Sequence, residues 1–368
     1  MDKLTILQIG TVGTPVKKGA GIGGAEKVLS YLDREYVRQG HNSIVAAPGD
    51  SEVYGTLLPT LDHSFNGADD SAAYEEHYEN IFQFIMSNSV DIIHDHPGRG
   101  FVNSKVYLRN SSRIKPPILI TNHGSQLPGL KKDHEQLEES MKYHPIYINA
   151  ISQAQKNILE SENDVKIIDV INHGIPLDIL EYNPNPGEYL FYLGRICKQK
   201  SQHIAIEVAK KTGNRLILGG SIEDKVYFEN SIQPNLNDQI KYVGSLNDQE
   251  KAKFYKNALA FIMPITGFET FSLVVAESMA SGTPVIVFNY GAVGEVVKNG
   301  KTGYVIDPVL KNGQLDLETM ETLMEERVKT ISSISRADCR KRVEDNFTLE
   351  KQSKSYIDLY NQLISKNL

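Results

Sequence analysis

The sequence contains only two cysteines, Cys197 and Cys339, in 368 residues. They lie far apart and lack the spacing of metal ligands, which excludes a disulfide framework and fits a reducing compartment. Positive charge is also scarce, because 39 Lys and Arg face 46 Asp and Glu and give a formal net charge of -7. Binding to a phosphate backbone needs a dense cationic face, so this balance opposes a nucleic-acid partner.

Long apolar runs are absent as well. No stretch reaches the roughly 18 apolar residues of a membrane span. The opening segment, MDKLTILQIG, is a short apolar run entering a glycine turn and lacks the pattern of a signal peptide. We therefore expect a cytoplasmic protein. Peripheral contact with the inner face of the membrane is compatible with a lipid-linked ligand, but no amphipathic basic helix requires it.

Two common nucleotide-binding motifs are missing. The glycine-rich segment GAGIGGAEK, residues 19–27, lacks the G-x-G-x-x-G spacing of a dinucleotide site and the GK[ST] of a P-loop. NAD binding and simple nucleotide hydrolysis are therefore disfavoured. Gly23 and Gly24 nevertheless lead into a helical pattern, and glycine lets the backbone approach an anion closely at a helix N-terminus.

A metal site is not predicted either. His94 and His96 flank Asp95 in the segment IIHDH. Alternating residues of a strand supply only a pair of ligands on one face, and no third ligand can be named. No acid-rich DxD-type segment stands out.

A repeated pattern of short apolar strands and helices is present instead. The chain is too long for one ordinary hydrophobic core, so two domains are expected. Strands separated by helices such as Ala72–Ser87 are typical of a parallel sheet covered on both faces. The pattern lapses over PLDILEYNPNPG, residues 176–187, and then restarts.

The expected fold class is therefore α/β, with two facing, Rossmann-like, doubly wound domains. We place the first domain at residues 1–180 and the second at 181–346. A final helix, 347–368, has an apolar stripe that must dock on another element. In doubly wound sheets ligands bind outside the carboxyl ends of the strands.

One acid lies in apolar surroundings in the second half. Glu277 belongs to GFETFSLVVAESMASG, residues 267–282, within a helix expected to begin near Ser272. A buried carboxylate without partners is costly, so two interpretations are open. Either hydroxyls of a bound nucleotide satisfy it, or a backbone amide or arginine inside the domain does. Glu269 is expected in the loop before the helix, whose first amides can hold an anion.

Two cations and a histidine follow predicted strands. Arg195 and Lys200, in LGRICKQK, can neutralise the charge that develops on a diphosphate leaving group. The alternative is a pair of solvated surface cations. His123, in TNHG, can offer a ring donor and a main-chain carbonyl to a sugar, or it can be a structural histidine.

Together these segments resemble glycosyltransferase family 4, a class of retaining enzymes with the GT-B fold. The similarity spans nearly the whole chain and includes GIGGAEKV, IIHDH, TNHG and GRICKQK. Its most specific part is Glu269 and Glu277, separated by seven residues and followed by SMASGTPVI, which resembles the family's two-glutamate signature. The resemblance implies that the last helix returns to the first domain, and that no obligatory metal or other cofactor takes part.

The resemblance also implies a role for each matching position. Arg195 and Lys200 would bind the donor diphosphate, Glu269 would contact sugar hydroxyls, and Glu277 would bond the ribose. His123 would lie beside the reacting carbon. The catalytic set implied in this way is His123, Glu269, Arg195 and Lys200. The donor-binding set is Gly23, Gly24, Arg195, Lys200, Gly244, Phe271, Ser272, Leu273 and Glu277. The family commonly has glycine where Ser272 stands, which leaves the donor sugar undecided.

We therefore predict a hexosyltransferase of glycan biosynthesis that moves a hexose, with retention, from a nucleotide-diphosphate sugar, UDP-linked, to a hydroxyl acceptor. The acceptor, a sugar, a lipid-linked compound or another small molecule, would be bound by loops at residues 11–22, 61–75 and 125–145. Two alternatives stay open. One is a nucleotide-sugar epimerase on the same fold, which needs further acid and base residues near the sugar. The other is a non-catalytic sugar-nucleotide-binding partner.

Overall fold

Two parallel sheets form the framework of the protein. The structure, a computed structural model, describes residues 3–19, 23–65, 71–98, 100–124, 144–163 and 166–366. The chain divides into two units. Unit 1 comprises Met1–Gly174 and Leu349–Leu368, and unit 2 comprises Ile175–Thr348.

The described residues of unit 1 include a sheet of seven parallel strands in the order β3-β2-β1-β4-β5-β6-β7. The strands are β1 (Thr5–Ile9), β2 (Asn42–Ala47), β3 (Thr56–Pro59), β4 (Ile92–Asp95), β5 (Ile118–Thr121), β6 (Ile146–Ala150) and β7 (Ile167–Val170). The helices of this part are α1 (Gly24–Arg38), α2 (Ser71–Ser87), α3 (Lys105–Asn110) and α4 (Gln153–Asn163). The winding reverses between β1 and β4, where Ile9 lies beside Asp95.

The core of unit 1 explains why these segments form strands. Both β4 and β5 are buried along their whole length. Continuous apolar strands of this kind occur in parallel sheets that helices cover on both faces. Ile81 and Phe82 of α2 belong to the same buried cluster as Ile93 and Ile118 of the sheet.

The described residues of unit 2 include a second parallel sheet in the order β10-β9-β8-β11-β12-β13. Its strands are β8 (Tyr189–Leu193), β9 (Arg215–Gly219), β10 (Ile240–Tyr242), β11 (Ala260–Met263), β12 (Val285–Phe288) and β13 (Gly303–Ile306), and β14 (Leu310–Lys311) and β15 (Gln314–Leu315) form a separate antiparallel hairpin. The helices are α5 (Gln202–Thr212), α6 (Lys225–Tyr227), α7 (Asp248–Lys256), α8 (Leu273–Ala280), α9 (Val293–Val296), α10 (Leu317–Thr330) and α11 (Arg336–Asn346). Helix α5 ends in a glycine C-cap, Gly213, whose φ of 70° is the left-handed conformation that glycine adopts at helix ends. This strand order is that of a doubly wound Rossmann-like sheet, which confirms the predicted fold class.

The last helix, α12 (Leu349–Lys366), belongs to unit 1 although it follows unit 2 in the sequence. The Tyr360 hydroxyl lies 3.0 Å from the Tyr36 hydroxyl of α1 and 2.6 Å from His94 Nδ1 of β4. The predicted return of this helix to the first domain is therefore confirmed. In the described part of the chain, no helix has the length and apolar character needed to cross a membrane.

Candidate active site

The carboxyl ends of β8 and β11 carry two of the charged residues singled out by the sequence. Arg195 follows β8 and Glu269 follows β11, the adjacent strands at which the winding of the unit 2 sheet reverses. Strand ends at such a switch point leave a crevice for a ligand. The Ile196 N–H donates to the Ser221 carbonyl at 2.8 Å, so the segment after β8 is held to the segment after β9.

Lys200 and Glu269 meet at this strand end. Lys200 closes a 3-10 turn, and its ammonium forms an ion pair with the Glu269 carboxylate. The side chains are 20% and 14% exposed, so water screens the pair only partly. The Glu269 carbonyl accepts a hydrogen bond from the Ala292 N–H at 2.7 Å, and Gly291, at φ 73°, packs directly on the Glu269 backbone. The fold therefore fixes a carboxylate from the β11 loop against a cation from the β8 loop.

Arg195 has a different partner. Its guanidinium forms an ion pair with Glu223, and the two side chains are 59% and 51% exposed. Exposed pairs of this kind contribute little to stability, so an anionic ligand can displace Glu223 at low cost. Arg195 therefore stands at the same strand end as the Lys200–Glu269 pair without sharing its partner.

Glu277 has partners inside unit 2. It lies in α8, is 2% exposed, forms an ion pair with Lys251 of α7 and accepts a hydrogen bond from the Tyr255 hydroxyl at 3.0 Å. Lys251 is buried too and pairs with Asp248 at 2.9 Å. Nucleotide hydroxyls are therefore not needed to explain the burial of Glu277, but the ribose contact stays a prediction. The partners inside the domain include a lysine and a tyrosine, whereas the sequence analysis names a backbone amide or an arginine.

Ser272 adopts an unusual backbone conformation at the start of α8. Its φ of 71° and ψ of 75° are left-handed, and Leu273 is the first helical residue. Residues with a Cβ are disfavoured there, which is a physical reason for the family's glycine at this position. Phe271 is buried and packs edge-on against Phe347 with ring centroids 5.5 Å apart. Its side chain is packed in the core, so a ligand contact at Phe271 would come from its main chain.

The predicted glycines lie at turns. Gly244 follows β10 with φ 76°, and its carbonyl accepts a hydrogen bond from the Gly220 N–H at 2.8 Å. Gly23 precedes α1 with φ 112°, and Gly24 begins that helix. Residues 20–22 of the glycine-rich segment lie outside the described residues, as do residues 66–70 and 125–143 of the predicted acceptor loops.

His123 lies in unit 1 after β5, between two other histidines. Its Nε2 is 3.1 Å from His96 Nδ1, and its Nδ1 is 3.4 Å from His173 Nε2. Burial lowers the pKa of His123 to about 4, so its ring is neutral at pH 7. Because both ring nitrogens face histidines, the predicted ring donor to a sugar would have to replace one of these bonds.

Several residues of these sites carry no clear signal in the sequence. Lys251 and Tyr255 are four positions apart, which places them on one face of α7, but the spacing does not show that the face is buried against a carboxylate.

Within the described residues, no three or more His, Cys, Asp or Glu side chains are arranged to hold a metal ion. Independence from metal stays a prediction.

Comparison with known proteins accounts for both units. Residues 22–179 match the family model described as Glycosyltransferase Family 4, and residues 181–344 match the one described as Glycosyl transferases group 1. The chain belongs to glycosyltransferase family 4. An uncharacterised glycosyltransferase of Methanocaldococcus jannaschii is 28% identical over 64% of this chain and 65% of its own length. The match thus spans slightly less than two thirds of that relative.

Two solved structures show that this family 4 glycosyltransferase has the GT-B fold. Anabaena HepE in complex with UDP and glucose is 17% identical, has a TM-score of 0.74, and the match covers 97% of this chain and 99% of HepE. The catalytic domain of starch synthase IV from Arabidopsis thaliana, bound to ADP and acarbose, is 14% identical with a TM-score of 0.76, and the match covers 99% and 100% of the two chains. At these identities the likeness extends to the fold alone.

Proposed function

We propose that this glycosyltransferase transfers a hexose from a UDP-linked donor to a hydroxyl acceptor, with retention and without a metal. The observation that carries the proposal is the Lys200–Glu269 ion pair at the switch point of unit 2. A lysine and a carboxylate held together there offer one group for a diphosphate and one for sugar hydroxyls.

The charges that develop during the reaction are opposite in sign to the charges of these groups. Breaking the anomeric bond leaves negative charge on the diphosphate and positive character on the sugar. Lys200 and Arg195 would stabilise the diphosphate, together with the amides of the first turn of α8, which lack intrahelical acceptors. On donor binding, the Lys200 ammonium would exchange Glu269 for phosphate oxygens, and Glu269 would accept hydrogen bonds from sugar hydroxyls.

Glu277 would bind the ribose in this scheme. A carboxylate beside an ammonium is held in its charged form, which accepts hydrogen bonds from hydroxyl groups. Lys251 and Tyr255 fix the position of that carboxylate within α8. UDP is proposed as the nucleotide because HepE is described in complex with UDP. Starch synthase IV is described with ADP, which makes ADP the alternative nucleotide.

The test is UDP release from UDP-glucose and other nucleotide-sugars, first without an acceptor and then with a panel of sugar and lipid-linked hydroxyl acceptors. We expect slow donor hydrolysis that an acceptor accelerates, with retention in the product. Glu269→Ala should lower the rate roughly 100-fold or more. Product analysis by NMR of the anomeric proton reads the stereochemistry, and chelator should leave the rate unchanged.

Donor affinity provides the control for the site. Lys200→Ala should weaken UDP binding by about 10- to 100-fold, because a charge-assisted hydrogen bond to phosphate is lost. Lys198 is exposed in the same turn, so Lys198→Ala is the matched variant and should bind UDP as the unaltered protein does. Equal affinity in both variants would place the diphosphate elsewhere. Tight UDP-sugar binding without turnover under any acceptor would contradict transfer.

A further inference from the structure

Three histidines of unit 1 form a hydrogen-bonded chain. We define this histidine chain as His96, His123 and His173, which follow β4, β5 and β7 in turn. The ring centroids of His96 and His123 are 5.3 Å apart and those of His123 and His173 are 5.1 Å apart, and the ring planes of the two pairs differ by only 14° and 22°. His96 and His173 are buried.

A glutamine terminates the histidine chain at each end. Gln352, a buried residue of α12, places its Nε2 3.3 Å from His173 Nδ1. At the other end, His96 Nε2 lies 3.3 Å from Gln8 Oε1 in β1. The chain therefore runs from the last helix of unit 1, through His123, to the first strand.

The orientation of the Gln352 amide decides which way the protons point. The Gly174 N–H donates to Gln352 Oε1 at 2.8 Å, so the oxygen faces Gly174 and the nitrogen faces His173. An amide nitrogen only donates, so His173 Nδ1 must accept. In a neutral imidazole the other nitrogen then carries the proton, and His173 Nε2–H donates to His123 Nδ1.

The same rule fixes the remaining rings. His123 accepts at Nδ1, so its Nε2–H donates to His96 Nδ1, and His96 Nε2–H donates to Gln8 Oε1. The Gln8 Nε2 donates onward to Ser43 Oγ at 2.9 Å, which is the amide orientation the chain requires. The hydrogen bonds at the two ends of the histidine chain therefore require the same donor-to-acceptor direction, from Gln352 to Gln8.

Burial keeps all three rings uncharged. It lowers the pKa of His96 and His173 well below the ordinary value, and the positive charges that would act on His96 are those of His94, His123 and His173. His94 stands beside the chain and is bonded separately, with Nδ1 2.6 Å from the Tyr360 hydroxyl and Nε2 2.7 Å from Thr121 Oγ1. A proton added to His123 would set two donors against each other unless His173 also reversed.

We propose that Gln352 is a positioning residue that fixes the proton order of the histidine chain and holds His123 as the neutral Nε2–H tautomer. Reversing the chain would require the Gln352 amide to turn and give up its bond from Gly174. The consequence for the reaction rests on the proposed function: a neutral His123 adds no positive charge beside an anomeric carbon that is itself becoming positive.

Long-range proton–nitrogen NMR of the full chain labelled with 15N-histidine tests the proton order directly. Single His→Gln variants assign the rings. We expect His96, His123 and His173 each to show a protonated Nε2 and a bare Nδ1 near pH 7. A protonated Nδ1 on His123 or His173 would overturn the proposal, and this result needs no Gln352 variant to fold.

Gln352→Glu tests the role of the amide. A carboxylate can still accept from Gly174 but also accepts from His173, so His173 should take up a proton at Nδ1 while it keeps its Nε2–H, and become an imidazolium at a higher pH than in the unaltered protein. Gln362 is exposed on the same helix, and Gln362→Glu is the matched control that should leave all three rings unchanged. Unchanged histidine resonances in Gln352→Glu would overturn the positioning role.

Activity separates this proposal from the proposed function. The hydrolysis rate of UDP-sugar by Gln352→Glu should fall as the pH is lowered from 8 to 6, whereas Gln362→Glu should follow the unaltered protein. A protonated His173 Nδ1 in Gln352→Glu with an unchanged pH profile would refute a role of Gln352 in the reaction. Failure of every donor to react, with the proton order as expected, would instead refute the proposed function.

Discussion

Lys251 stabilises the buried carboxylate of Glu277. It is the cationic partner of Glu277, and both side chains are at most 4% exposed. Lys251→Met should lower the free energy of unfolding by roughly 3–5 kcal/mol, because it leaves two buried carboxylates, Glu277 and Asp248, without this countercharge. Urea denaturation followed by circular dichroism measures this loss.

The control for Lys251 lies two positions further along the same helix. Lys253 is exposed, so Lys253→Met should change the free energy of unfolding by less than about 0.5 kcal/mol. Equal losses in the two variants would mean that the Lys251–Glu277 pair contributes no more than a surface lysine. A second variant, Lys251→Met with Glu277→Gln, should recover part of the loss, since one of the two buried carboxylates is then uncharged and only Asp248 keeps its charge.

Ser272 provides a prediction about backbone strain. At φ 71° a β-branched side chain is strongly disfavoured, so Ser272→Val should destabilise the protein by roughly 1–2 kcal/mol. Ser272→Gly relieves the strain but loses more chain entropy on folding, so its stability should lie within about 1 kcal/mol of the unaltered protein. Ser272→Ala removes the hydroxyl and keeps the Cβ, which isolates the backbone effect. Valine as stable as glycine in thermal unfolding would contradict the strain.

At the scale of elements, hydrogen bonds from arginine side chains hold α11 in addition to its buried apolar residues, Cys339 and Val343. Arg336 donates to the carbonyls of Asn183, Lys256 and Ala258 at 2.7, 3.0 and 3.0 Å, and to the Thr283 hydroxyl at 2.7 Å. Its guanidinium thereby fastens α11 to three separate segments of unit 2.

Arg336→Met should lower the free energy of unfolding by roughly 2–4 kcal/mol, because several buried acceptors lose their donor. Arg336→Lys should recover less than half of this, since an ammonium cannot span the same acceptors. Lys341→Met is the matched control on α11, because Lys341 is 69% exposed and pairs only with Asp345 at 3.1 Å among the ion pairs of the described residues. A loss as large for Lys341 as for Arg336 in urea denaturation would argue against the fastening role.

The sequence predicts some of these elements and not others for physical reasons. Strands such as β4 and β5 are continuous apolar runs, and burial on both faces leaves that pattern unmistakable. Helix α11, with the sequence RADCRKRVEDN, buries only Arg336, Cys339 and Val343, so its apolar periodicity is too weak to predict a helix. Edge strand β3 is short, partly exposed and ends in proline, so its pattern does not predict a strand either.

The candidate site divides in a similar way. Position after a strand is enough to select Arg195 and Lys200, because the carboxyl ends of parallel strands lie at one edge of a sheet. Glu269 is selected instead by its place in the loop before the helix of Glu277 and by the two-glutamate pattern. The partner of Glu277 could not be selected, since Lys251 comes from a different helix and only tertiary packing joins them. The proton order of the histidine chain depends on Gln352, which lies far from those histidines in the sequence.

For the whole molecule, the two units have separate sheets, and the UDP contacts argued under the proposed function, Arg195, Lys200 and Glu277, belong to unit 2. A ligand that binds the folded form alone stabilises it by mass action, by about 2.7 kcal/mol at a free concentration 100 times its Kd. UDP at that concentration should therefore raise the urea midpoint of unit 2 and leave that of unit 1 unchanged. Pulsed hydrogen exchange with mass spectrometry, read from peptides of β9 and β12 against peptides of β2 and β5, resolves the two units. Lys200→Ala should require a correspondingly higher UDP concentration for the same shift, whereas Lys198→Ala should not.

A midpoint that rises only in unit 1 would place the nucleotide there, because stabilisation by a ligand appears in the unit that must stay folded to bind it.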